Sequence, residues 1–66
     1  MEIILNNKIV IVDDKTTIEK VITYFGMNPV GIAIAVNNKI VSRNDWNKTI
    51  LNNGDKVVMI KGACGG

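Results

Sequence analysis

Few groups in this chain of 66 residues could take part in covalent chemistry, and they lie together at its end. Lys61-Gly62-Ala63-Cys64-Gly65-Gly66 carries the only cysteine, and three of these six residues are glycine. Extended, six residues reach about 20 Å. With so few Cβ atoms, such a segment could enter a narrow channel where larger side chains would collide. The group it would deliver is the terminal α-carboxylate of Gly66. That group is ionised at neutral pH and is a poor electrophile. Reaction with ATP at the α-phosphate would convert it to an acyl-adenylate, and attack by a sulfur nucleophile would then give a thiocarboxylate. Glycine at the terminus leaves that carbonyl unhindered. A frayed end of no special purpose is the competing reading of the same residues.

Composition removes other chemistries. There is no histidine, so a thiol–imidazole pair cannot form. One cysteine supports neither a structural zinc site nor an internal disulfide. No metal site is expected, and no acid, base or nucleophile from this chain is needed for the scheme above. The eight basic and six acidic residues give a net charge of +2. The cations are scattered singly and only Tyr24, Phe25 and Trp46 are aromatic, so nucleic-acid binding is not expected. No segment approaches transmembrane length, and Asn6, Asn7 and Lys8 interrupt the first apolar run. No membrane association is expected, and the cytoplasm is the expected location.

The elements that must carry the tail follow from hydrophobic pattern. Ile3 to Leu5 and Ile9 to Val12 read as a hairpin about Asn6-Asn7-Lys8. Thr16 followed by Glu19 has the spacing of a capping box, and Ile18, Val21, Ile22 and Phe25 fall on one helical face. A helix is therefore expected at about Thr17 to Phe25, stopped by Gly26 and Pro29. In the next strand Ile32, Ile34 and Val36 share one face, while Gly31, Ala33 and Ala35 share the other. The small residues are expected against the helix. Asn37-Asn38 turns the chain into Lys39 to Val41, and Trp46, Ile50 and Leu51 are expected to tack the following irregular segment to the core. Lys56 to Lys61 is nearly all apolar between its lysines, which predicts a central strand covered on both sides. A single helix across one face of a mixed sheet of four to five strands, an α+β domain, accommodates this order. The expected domain spans 1–60 and the tail 61–66.

The stretch Ala35-Val36-Asn37-Asn38-Lys39-Ile40-Val41-Ser42-Arg43-Asn44-Asp45-Trp46 resembles the central signature of the ThiS sulfur carriers of thiamine biosynthesis. Leu51, Gly54-Asp55 and Gly65-Gly66 follow at family-like spacing, so the resemblance covers essentially the whole chain. It implies the β-grasp fold shared with ubiquitin, with the first and last strands parallel and adjacent. It also implies that Gly66 is adenylated by an ATP-dependent activating enzyme, to which ATP and Mg belong, and loaded by a sulfur-donating enzyme. The carrier itself would be no enzyme and hold no cofactor. Thiazole synthase would receive the sulfur, with Gly62, Cys64, Gly65 and Gly66 as the tail presented to partners.

Two positions depart from the family pattern. Ser42 stands where proline is frequent, which bears on strand-end rigidity. Cys64 lies near the modified end, either to handle sulfur or as a small residue tolerated in the tail. Trp46 and Met59 are candidate partner surface, although a core role is the preferred reading for both. A carrier for molybdenum-cofactor synthesis would share tail and activation. A ubiquitin-like modifier would end as an isopeptide, and a plain interaction module would not need Gly65-Gly66.

Overall fold

Two Asn-Asn pairs set the hairpins. Asn6 and Asn7 have φ of 48° and 68°, and Asn37 and Asn38 have 50° and 72°. Two consecutive positive φ values match the twist of paired strands, and asparagine tolerates them better than most residues. The computed structural model of the chain describes residues 1–61. The first pair joins β1 (Glu2–Leu5) to β2 (Lys8–Ile11), and the second joins β3 (Ile32–Val36) to β4 (Lys39–Val41). Lys8, expected in the first turn, instead pairs with Leu5.

The last strand, β5 (Lys56–Lys61), lies in the middle of a five-stranded sheet of order β2-β1-β5-β3-β4. It runs parallel to β1, with Ile4 opposite Lys56 and Leu5 opposite Val57. On its other side it runs antiparallel to β3, from Val36 opposite Val57 to Ile32 opposite Lys61. The mixed sheet with its single helix is the β-grasp arrangement.

The helix α1 (Ile18–Tyr24) begins one residue later than a Thr16 cap would place it. Thr17 is the N-cap, and its hydroxyl oxygen accepts from the Lys20 amide at 3.2 Å. Thr16 is buried and donates its hydroxyl proton to the Asp13 carbonyl, so it holds the approach to the helix rather than capping it. The donors of Ile18 and Glu19 reach the carbonyls of Thr49 and Trp46, each at 3.2 Å. All three amides that the first turn leaves without intrahelical partners are thereby satisfied. At the other end Gly26 has φ +66°. Its amide donates to Thr23, and that of Met27 to Ile22, the paired bonds of a Schellman stop.

The core lies between α1 and one face of the sheet. Ile18, Val21 and Ile22 meet Ile3, Leu5, Ile34, Val57 and Met59, closed over by Trp46 and Leu51. Ile50, expected to help hold this segment, is 54% exposed, and Phe25 is at the helix margin. The helix covers the face of Ile32, Ile34 and Val36, opposite to the expectation that it would rest on Ala33 and Ala35. A seven-residue helix is covered on one side only, and large side chains fill that layer better than alanines.

Asparagine side chains also join the sheet at its ends. The Asn6 side-chain oxygen accepts from the Met59 amide at 2.8 Å, and that of Asn37 from Lys56 at 3.0 Å. Asn53 and Gly54 clip the start of β1: the Glu2 amide donates to the Asn53 side-chain oxygen at 2.8 Å, and the Gly54 amide to the Glu2 carbonyl at 2.7 Å.

Replacing the true cap identifies it. Thr17→Ala is expected to cost about 0.5–2 kcal/mol in denaturant unfolding with the fold retained.

Candidate functional site

A site at the chain end must be positioned by β5, because β5 is the last element before it. Residues 62–66, with Gly62, Cys64, Gly65 and Gly66, lie outside the described residues. What the structure supplies is the platform. β5 is held by β1 and the Asn6 side chain on one side and by the full length of β3 on the other. Lys61, still paired with Ile32, is therefore on a rigid base.

Alternation along β5 divides its side chains. Val57 and Met59 are buried beneath α1, while Val58 is half-buried and Ile60 is 50% exposed on the opposite face. The sequence-based expectation that this strand is covered on both sides is thus half right: it is central, but no element among the described residues lies over Val58 and Ile60. Their cross-strand neighbours on that face are Ala35 and Ala33, and Ile40 of β4 lies opposite Ala35. Ile4 and Ile9 extend the same face across β1 and β2. Small alanines between larger residues make this a shallow apolar surface, with Lys56 at its margin.

Trp46 and Met59 do not belong to that surface. Trp46 is 4% exposed and Met59 7%, so both lie in the core, the reading preferred for them over a partner surface. The indole spans the end of the core, and its Nε1–H donates to the Val41 carbonyl at 3.0 Å. Met59 faces α1 because it is one residue out of phase with Ile60. The residues that do face outward, Val58 and Ile60 with Ala33, Ala35 and Ile40, were not singled out from sequence. Lys56 is in phase with Val58 and Ile60 but Lys61 with Val57 and Met59, so the flanking lysines do not mark which face is open.

Nothing among the described residues offers catalytic equipment. No cluster of three metal-ligating side chains occurs there, and no buried side-chain polar atom there lacks a partner. A groove of about 490 Å³ between α1 and the segment after β4 has Glu19 and Arg43 as its only charged lining residues. No helix among the described residues is long and apolar enough to cross a membrane.

The sequence profile of the ThiS family matches residues 1–66, the entire chain. The chain belongs to the ThiS family. Such proteins are small sulfur carriers of thiamine biosynthesis, not catalysts. Among solved structures, a chain described as thiamine biosynthesis protein ThiS from Geobacter metallireducens superposes with a TM-score of 0.85 over 100% of both chains. The two are 19% identical, so this likeness speaks for the fold. No curated protein sequence matches significantly. Ser42 has φ −60°, an angle that a proline ring would also accept, and its side chain makes no capping bond.

Trp46→Ala is expected to lose about 3–5 kcal/mol of unfolding free energy through the cavity it leaves. Trp46→Phe, which keeps most of the volume but not the bond to Val41, should lose clearly less in the same thermal or denaturant measurement.

Proposed function

We propose that the carboxylate of Gly66 is the working group of this carrier and that Gly62 to Gly66 reach into the active sites of its partners. The observation that carries the reading is that the last described residue, Lys61, is anchored in the central strand of the sheet. A body fixed on both sides of β5 defines where the following residues begin. Delivery into a distant site then depends only on the length and slimness of those residues.

The chemistry falls to the partners. A carboxylate oxygen of Gly66 attacks the α-phosphorus of ATP on an adenylating enzyme, pyrophosphate leaves, and an acyl-adenylate forms. Hydrosulfide released by a sulfur-donating enzyme attacks the carbonyl and expels AMP, leaving a thiocarboxylate; sulfur delivered as a persulfide would first form an acyl disulfide, which a second thiol reduces to the same product. Thiazole synthase takes the sulfur at the sulfide level, and the acyl carbon gains an oxygen from water or from the sulfur acceptor to return to the carboxylate. ATP and Mg are bound by the activating enzyme, so the carrier needs no cofactor. A carrier activated with ATP belongs in the cytoplasm on this reading.

Docking uses the face that α1 leaves open. Val58, Ile60, Ala33, Ala35 and Ile40 form an apolar surface on the strand that leads to the tail, so a partner covering it would hold the body while the tail enters.

Intact-mass spectrometry after incubation with ATP, the cognate activating enzyme and a cysteine-based sulfur source tests the reaction. The chain should gain the mass difference between sulfur and oxygen, mapped to Gly66, and the gain should vanish when Gly66 is deleted. Cys64→Ser should load equally well; loss of loading there would make the Cys64 thiol a participant. No shift with active partners would sink the carrier mechanism. Separately, Ile60→Glu is expected to raise the KM for adenylation by about tenfold or more, with kcat and thermal stability nearly unchanged.

A further inference from the structure

The two edges of the sheet are not equally protected. Met1 and Val12 exchange main-chain hydrogen bonds of 2.7 and 2.9 Å, which fixes the phase of the β1–β2 ladder. Val10 and Lys8 then face β1, while Ile9 and Ile11 turn their N–H and C=O groups away from the sheet. No turn or loop backbone bond among the described residues reaches those groups. The side chains of Ile9 and Ile11 are 68% and 67% exposed. The opposite edge, β4, has only three residues, and the hairpin phase leaves Ile40 alone facing outward. A longer edge with two outward apolar residues is a template for another strand.

We propose that two copies of this chain associate through β2, antiparallel about Val10, so that one sheet runs through both. Ile9 of each copy then lies opposite Ile11 of the other, and both pairs exchange N–H···O bonds. Four isoleucine side chains gather on the face away from α1, beside Ile4, which is the cross-strand partner of Ile9. The occupant is a second copy because the strand complements itself in charge. Lys8 opens β2, and Asp13 and Asp14 follow its end. Antiparallel pairing sets the lysine of each copy alongside the acid pair of the other, whereas parallel pairing sets like against like. Asp14 is 87% exposed and lies 3.6 Å from the Met1 ammonium, while Asp13 has no ion pair among the described residues. The arrangement leaves β5 untouched, because β1 lies between it and β2. A single strand pair makes a small interface, so the association is weak and concentration-dependent.

Sedimentation equilibrium of the full chain, with thiols kept reduced so that Cys64 cannot crosslink copies, tests this. The average mass should rise from 7.2 kDa toward twice that value as the chain is concentrated to about 1 mM. Ile9→Lys and Ile11→Lys alter side chains that are two-thirds exposed, so the monomer should still fold, and each should weaken association by about tenfold or more. Ile40→Lys, on the other edge, should leave it unchanged. Amide exchange at Ile9 and Ile11 should slow with concentration in the parent chain only. A monomer throughout this range overturns the proposal, as does dissociation by Ile40→Lys with none by Ile9→Lys.

Discussion

The parallel register between the first and last strands is the constraint on which this small fold depends. Ile4 donates to the Asp55 carbonyl at 2.8 Å and Asn6 to that of Val57 at 2.9 Å. Through those bonds the N-terminal hairpin and the second hairpin become one sheet. Without β5 between them, each hairpin would be a two-stranded unit, which is marginal in water. Parallel neighbours cannot be joined by a tight turn, so all the intervening chain, with α1 and the Trp46 segment, is the crossover that closes this pair. Asparagine suits the ends of the register because one residue supplies both the turn conformation and a side-chain carbonyl. At Asn6 and Asn37 that carbonyl substitutes for a strand that has already turned away.

The same constraint explains how a carrier can do without catalytic side chains. Placing the C-terminal strand at the centre of the sheet gives the chain end a fixed origin and leaves an apolar face beside it. The segment after β4 has the opposite task. Its carbonyls at Trp46 and Thr49 terminate the helix, its indole closes the core, and the Leu51 amide returns to the Thr16 carbonyl at 2.8 Å. What looks irregular in this stretch is the second anchor of a helix too short to stand alone.

Much of this was legible in the sequence. The Asn-Asn pairs, the spacing of Ile18, Val21 and Ile22, Gly26 before Pro29 and the apolar run of β5 each determine local structure by themselves. The main readings that failed did so for want of tertiary information. Thr16 and Thr17 are adjacent hydroxyls of equal capping ability, and only the route of the chain from Asp13 decides between them. Alternation in β3 separates Ile34 from Ala35 but does not say which side the helix takes. The continuous run Val57 to Ile60 has no polar marker of phase, so it read as buried on both faces and gave no reason to separate Met59 from Ile60. For Gly66 the family resemblance says more than the local pattern does, because a glycine-rich end carries little sequence signal of its own.

The Asn53–Gly54 clip on Glu2 bears on the chemical lifetime of the protein. Asparagine before glycine is prone to deamidation, in which the glycine amide nitrogen attacks the side-chain carbonyl carbon and expels ammonia. Here the amide of Gly54 is engaged with the Glu2 carbonyl and the Asn53 side chain with the Glu2 amide. Bringing the two reacting atoms together requires releasing both bonds, so the folded protein ages slowly at this dipeptide. An aspartate or isoaspartate at position 53 would thus record how long the first strand had spent detached.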